Sequence, residues 1–248
     1  MKNIEKAAYI AHSKTMSFKN RVNKTLDLLR EFLKVADNPY IAFSTGKDST
    51  VCLHLMRSLN PNIVAVYNDH QFLLPEMEEM LNNTQNIKRI ARTVKHSETF
   101  TSYKDGKPES LSKNIEWVDG SIRKDWAQKQ NHNGCVVGLR VDENSYRRKH
   151  VRKYGQLFFV KSYGLYNCYP VAYWNVSDIW AYIISNNIPY CKAYDVLSEL
   201  NIKPQNQRIG PVLNEKVETM GQVSILKMGW PELFGQLCEI YPEINGMA

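Results

Sequence analysis

Apolar residues fall along the chain in two rhythms, short solid runs and stripes at helical spacing. The runs 40–43, 63–67, 135–139 and 157–160 read as buried strands. Between 17 and 36, Phe18, Val22, Leu26, Leu29 and Leu33 share one stripe, with Lys19, Asn20, Lys24, Asp27 and Glu31 off it. That is an amphipathic helix, and Asp37-Asn38-Pro39 stops it before the first strand. Val51, Leu53, Leu55, Met56 and Leu59 mark a helix over 50–59, and Asn60-Pro61-Asn62 turns the chain into the second strand. Pro75-Glu76 opens the next helix, and 122–130 reads as another. Residues 96–114 are polar and turn-rich around Asp105-Gly106-Lys107-Pro108, the pattern of an exposed insertion. Residues 168–171 form a further extended piece. Ser177 is expected to cap a helix over Ile179, Trp180, Tyr182, Ile183 and Ile184 that ends at Asn186 to Pro189. Two more helices, 222–228 and 231–241, flank Gly229-Trp230.

Strand, helix, strand at this spacing implies a parallel crossover, and such sheets bind ligands beyond the carboxyl ends of their strands. Ser44-Thr45-Gly46-Lys47-Asp48-Ser49 and Asp69 both lie at such ends. A tight polar loop leading into a helix offers backbone N–H groups to phosphate. Ser44, Thr45 and Ser49 add hydroxyls, and Lys47 adds a mobile positive charge. The loop is not a Walker A motif, because Ile41 stands where the first glycine belongs and Asp48 follows the lysine. Taken alone it also fits an ordinary strand–helix turn.

The 248 residues fit one large domain, or one with a sizeable C-terminal extension. Apolar and charged shares of 43% and 23% are those of a globular protein. No apolar run approaches the roughly 18 residues of a membrane span, and residues 1–14 lack the apolar stretch of a secretory signal, so a cytoplasmic protein is expected. Cys52, Cys135, Cys168, Cys191 and Cys238 are scattered without a C-x-x-C pair, which announces neither zinc nor an iron–sulfur cluster. The net charge of +7 suits nucleotide phosphates and nucleic acid alike. Arg147, Arg148, Lys149, Arg152 and Lys153 crowd into 146–154, either as a solvated helix face or as a surface for a polyanion.

Four ordered stretches then resemble one family. They are the loop Ser44 to Ser49; Asp69 with Phe72, Pro75 and Glu76; Gly138-Leu139-Arg140 with Asp142, Glu143, Ser145 and Arg147; and Tyr169-Pro170-Val171, Trp174, Asp178-Ile179-Trp180, Tyr182-Ile183 and Ile188-Pro189-Tyr190. The first is similar to the SGGxDS pyrophosphate loop (PP-loop), with Thr45 in place of the first glycine. Together, over 38–195, they resemble the phosphoadenosine phosphosulfate (PAPS) reductase family, which also holds the small subunit of bacterial ATP sulfurylase and DNA-phosphorothioation proteins.

The resemblance implies an α/β fold, a doubly wound parallel sheet of the HUP type, or adenine nucleotide alpha-hydrolase type. A helical segment, 1–37, would precede the nucleotide-binding domain 38–195, and a helical extension, 196–248, would follow it. It implies ATP or a related adenine nucleotide (PAPS or its precursor APS) across the strand ends, with Mg²⁺. Ser44, Thr45, Gly46, Lys47, Asp48, Ser49, Gly138 and Arg140 would hold the nucleotide, and Lys47, Asp69 and Arg140 would serve catalysis. Lys47 and Arg140 are expected in one anion pocket with Asp69 at its rim. Arg208 is a further candidate cation; Trp174, Asp178 and Trp180 are assigned to packing and capping.

The departures bear on activity. The family's thiol-dependent reductases carry a C-terminal Glu-Cys-Gly-x-His, which 241–248 lacks, and Cys238 reads as structural. Paired cysteines for an iron–sulfur cluster are absent too. The surviving chemistry is attack on the alpha phosphorus of ATP with release of pyrophosphate, adenylylating sulfate or a nucleic-acid group. The alternatives are a non-catalytic nucleotide sensor and a nucleic-acid sulfur-modification component, each open to a partner subunit.

Overall fold

Two helices precede the sheet. In the computed structural model, which describes residues 3–69, 73–91, 103–104, 107–108, 123–210, 222–240 and 242–247, they are α1, Asn3–Ser13, and α2, Met16–Val35. The periodicity of the sequence shows only α2. Its buried stripe is Phe18, Thr25, Leu29 and Phe32, with Val22, Leu26 and Leu33 half-buried. Thr25 can face the core because its hydroxyl donates to the Arg21 carbonyl at 3.0 Å and accepts from Trp174 Nε1 at 2.9 Å.

The sheet follows in strand–helix alternation: β1 Pro39–Ala42, α3 Lys47–Arg57, β2 Val64–Asp69, α4 Pro75–Asn82 and β3 Ile87–Ala91. A small antiparallel pair, β4 Tyr103–Lys104 and β5 Lys107–Pro108, is all that is described of the expected insertion 96–114; the rest lies outside the described residues. Next come α5 (123–129), β6 Gly134–Val137, α6 Ser145–Tyr154, β7 Leu157–Val160 and β8 Leu165–Cys168. The chain continues with α7 Val176–Ser185, α8 Ala193–Glu199, α9 Gln222–Gly229, α10 Pro231–Ile240 and a 3₁₀ turn, Pro242–Met247. No helix among the described residues is long and apolar enough to cross a membrane.

The strand order is β3-β2-β1-β6-β8-β7, parallel except for β7 on β8. This is the expected doubly wound α/β sheet. From β1 the chain builds outward through β2 and β3, then returns to place β6 on the other flank of β1. The direction therefore reverses between β1 and β6, where such sheets open a crevice. Both faces are covered, which explains the solid apolar runs. Ile41, Ala65, Tyr67 and Val136 face the larger core with Leu29, Phe32, Val51 and Leu55. Tyr40, Val66, Cys135 and Leu165 face the other side with Ala127 of α5.

Most element ends lie within one or two residues of the sequence reading; three local readings differ for a physical reason. α3 begins at Lys47 rather than Thr50, because the polar residues of the loop form its first turn. The extended piece placed at 168–171 is β8, Leu165–Cys168, and the chain turns immediately after it. The cap of α7 is Asn175 rather than Ser177. Asn175 Oδ1 accepts from the Asp178 N–H at 2.9 Å, and Asp178 Oδ2 accepts from the Asn175 N–H at 2.8 Å, a reciprocal capping box.

Asp178 does more than cap. It is wholly buried, and its carboxylate also receives Arg21 of α2 and, at 2.9 Å, His12 Nε2 of α1. One side chain thus ties both N-terminal helices to α7. Asn175→Ala should cost about 1 kcal/mol, the worth of a cap. Asp178→Ala should cost about 3 kcal/mol, the low end for breaking a buried pair, since Arg21 can turn to water. Urea unfolding of the two variants gives the comparison; equal losses would mean that Asp178 is a cap and nothing else.

Candidate functional site

At the β1–β6 crevice the chain leaves β1 through Phe43 and Ser44 and enters α3 at Lys47. Thr45 adopts φ +59°, in the left-handed region. The other described non-glycine residues with positive φ are all asparagines, so a β-branched residue here stands out. The conformation costs about 1–2 kcal/mol. It is held by complete burial of Thr45 and by its hydroxyl, which donates to the Ser44 carbonyl at 2.6 Å. Strain of this kind collects at ligand-binding turns.

Gly46 is the N-cap of α3 and offers no side chain to the first-turn N–H groups. Ser49 Oγ folds back across the loop, accepting from the Ser44 N–H at 3.2 Å and donating to the Gly46 carbonyl at 2.9 Å. Thr50 Oγ1 donates to the same carbonyl at 2.9 Å. The Lys47 N–H is taken by the Tyr194 hydroxyl at 3.0 Å.

Lys47 and Arg140 are each only 3% exposed, and both meet Asp48. Lys47 Nζ lies 3.4 Å from Asp48 Oδ2 and 3.4 Å from the Gln207 carbonyl. Arg140 Nε lies 2.6 Å from Asp48 Oδ1. That is a charge contact without hydrogen-bond alignment: Arg140 Nε, Arg140 Nη1 and Asp48 Oδ1 all lack a hydrogen-bond partner although buried. Asp142 and Glu143 approach the same guanidinium at 3.9 and 3.8 Å. Burial lowers the pKa of Lys47; Asp48 opposes the shift, and Arg140 adds to it.

Gly138 makes the approach of β6 to α3 feasible. A Cβ there would lie 2.7 Å from the Ser49 nitrogen and 2.8 Å from the Asp48 carbonyl carbon, both backbone atoms. Beyond Arg140 a cavity of about 300 Å³ opens, lined by Arg140, Asp142, Glu143, the Asn175–Ser177 start of α7, Gln205 and Arg208. Two residues from the C-terminal part complete the surroundings of Lys47, Tyr194 with its side chain and Gln207 with its carbonyl. Tyr194 lies under its ammonium, 5.4 Å from ring centroid to nitrogen, and Gln207 is buried.

The structure therefore brings together Ser44 to Ser49, Gly138 and Arg140. Asp69 ends the adjacent strand, but its carboxylate is held by Arg89 of β3, with Nε at 3.0 Å, and Arg89 also grips Glu78. A catalytic Asp69 would need that pair to open. Tyr194 and Gln207 carry no local signal in the sequence; only the fold delivers them, and it also brings the start of α7, legible as a helix start, to the cavity. Trp174 and Trp180 are buried packing residues, as assigned, and Trp180 meets Tyr194 edge-on at 5.3 Å.

A family model described as the phosphoadenosine phosphosulfate reductase domain matches residues 38–199. An uncharacterized protein of Methanocaldococcus jannaschii is 26% identical over 214 residues, 81% of this chain and 41% of that protein. The chain thus spans about two fifths of the length of that curated relative. Among solved structures, the phosphate complex of phosphoadenylyl-sulfate reductase from Candida auris aligns with a TM-score of 0.53 at 19% identity, covering 76% of this chain and 88% of that one. The U34-tRNA thiolase of Methanococcus maripaludis gives 0.52 at 10%, covering 92% and 79%. The FMN adenylyltransferase of Candida glabrata, in complex with ATP, gives 0.50 at 16%, covering 77% and 64%. At these identities the likeness is one of fold alone.

Two outcomes test this geometry. Gly138→Ala forces backbone apart at the start of α3, at a cost of about 1–3 kcal/mol, and should weaken adenine-nucleotide binding measured by calorimetry. Gly235→Ala, with nothing within 4 Å of the added carbon, is the control; equal effects from both would discount the close approach. The second outcome concerns Lys47. Its folded pKa lies below the ordinary 10.5, so between those two values the unfolded chain holds more protons and stability rises with pH. Lys47→Met should remove that rise, seen as the difference between the two proteins' unfolding free energies across alkaline pH.

Proposed function

The chain belongs to the phosphoadenosine phosphosulfate reductase family, and within it we propose a protein that binds ATP across the β1–β6 crevice and cleaves it between the alpha and beta phosphates. The acceptor's oxygen lone pair forms a bond to the alpha phosphorus. The bond from that phosphorus to the bridging oxygen breaks, and pyrophosphate leaves with the electron pair. The acceptor, a small oxyanion such as sulfate or a nucleic-acid group, is adenylylated.

One observation carries this reading: buried beside the loop at the start of α3, Arg140 keeps Nη1 without a hydrogen-bond partner while its Nε lies against Asp48. Buried donors are rarely left so, and a phosphate oxygen would satisfy them. Such chemistry asks the protein for position and charge neutralisation. Lys47, Arg140 and the first-turn N–H groups of α3 supply both. Among the described residues no three His, Cys, Asp or Glu side chains stand together to hold a metal, and both oxygens of Asp48 already face Lys47 and Arg140; Mg²⁺ would therefore be held mainly by the nucleotide's own phosphate oxygens, whose charge it would offset.

A second reading, a nucleotide sensor without chemistry, rests on Tyr194 and the Gln207 carbonyl, which already occupy the Lys47 N–H and Nζ. Reduction by a protein thiol finds little support. Burial raises the pKa of Cys52, Cys135 and Cys168 and pushes Cys191 up to about 12, whereas a nucleophilic cysteine needs a lowered one. Cys238 is half-buried on α10 beside the main core.

Incubation with ATP and Mg²⁺, with and without candidate acceptors, separates the readings. Pyrophosphate and an AMP-containing product are expected; ADP and phosphate would contradict the proposal, and binding with no release would leave the sensor. Arg140→Ala should weaken ATP binding roughly 10- to 150-fold, the worth of a charged hydrogen bond. Cys238→Ser should leave turnover unchanged.

A further inference from the structure

Helix α6 has the sequence SYRRKHVRKY, without an acidic residue. Arg148, Lys149, Arg152 and Lys153 are all exposed, and among the described residues none of them is in an ion pair. They stand as two like-charged i,i+4 pairs, Arg148 with Arg152 and Lys149 with Lys153. Each such pair weakens an isolated helix, so the arrangement is unfavourable until an anion lies across it. Beside these rows runs an aromatic ladder at the same spacing. Tyr146 and Tyr154 are 75% and 46% exposed, and the ring of His150 lies between them at 6.4 and 4.8 Å.

Cations in rows beside exposed rings form the surface on which a single strand lays its backbone and stacks its bases. A duplex hides its base faces, and an acidic protein or membrane has no bases to stack. The helix also leads to the candidate site. Arg147, in its first turn, is paired with Glu143, which lines the cavity together with Arg140.

We propose that the outer face of α6 docks single-stranded nucleic acid and that this polymer is the acceptor presented to the cavity; the second half rests on the ATP-cleaving reading above. The strand's reacting group supplies the oxygen that bonds to the alpha phosphorus as pyrophosphate departs.

Docking is tested without ATP, by fluorescence anisotropy with labelled single-stranded RNA and DNA of about 20 nucleotides, long enough for one binding module. Four cations predict a roughly 50-fold loss of affinity between about 50 and 200 mM KCl. The combined change Arg148→Gln, Lys149→Gln, Arg152→Gln and Lys153→Gln should remove most of that salt dependence while circular dichroism and ATP affinity stay unchanged. Tyr146→Ala should cost roughly 5- to 150-fold for single strands and nothing for a duplex. Unchanged binding by the four-fold variant, equal affinity for the matched duplex, or preference for phosphatidylserine vesicles would overturn the docking surface. Pyrophosphate release should then rise with the single strand and not with sulfate; stimulation by sulfate alone would overturn the acceptor assignment. Oligonucleotide binding without ATP cleavage would refute the reaction and leave the surface standing; normal ATP cleavage without oligonucleotide binding would do the reverse.

Discussion

Asp48 sits between two buried cations, and the arrangement of the crevice depends on that charge. An uncompensated buried ion costs several kcal/mol. Lys47 and Arg140 come from elements about ninety residues apart and would repel each other without the carboxylate between them. The pairing is incomplete in its hydrogen bonds, because the contact between Arg140 Nε and Asp48 Oδ1 is close but misaligned. The fold thus balances the charge of Arg140, with Asp142 and Glu143 also near it, while leaving hydrogen bonds of its guanidinium unmade. Gly138 is the steric counterpart, since any side chain there would push β6 away from the start of α3.

The rest of the chain braces this corner. Tyr194 and Gln207 close over Lys47 from the C-terminal side. Trp180 of α7 packs on Tyr194, and Asp178 on the same helix takes up α1 and α2. At the far end, Trp230 Nε1 donates to Glu76 Oε2 at 2.9 Å, fastening the C-terminal helices to the start of α4. The N-terminal helices and the crevice therefore meet through α7 and its neighbours.

The sheet was legible because both of its faces are covered, so its strands are solid apolar runs. The loop and Gly138-x-Arg140 were legible because phosphate chemistry favours a narrow set of residue types at strand ends. The start of α3 was not, since Lys47, Asp48 and Ser49 are buried by the site rather than by apolar packing. Periodicity misses α1, most of whose surface is exposed. Thr25 faces the core with its hydroxyl bonded to Arg21 and to Trp174, and the second partner, far along the chain, leaves no local trace. Asp69 shows the opposite difficulty: its strand-end position was read correctly, but its pairing with Arg89 of the next strand leaves no trace in local sequence.

The most direct test of the crevice as a nucleotide site is a crystal structure with α,β-methylene-ATP and Mg²⁺. The account predicts the beta and gamma phosphates against Ser44 to Ser49, Arg140 donating to a phosphate oxygen, and the Tyr194 hydroxyl displaced from the Lys47 N–H. Phosphates bound elsewhere, with Tyr194 still on Lys47 and Arg140 still facing only its carboxylates, would contradict it.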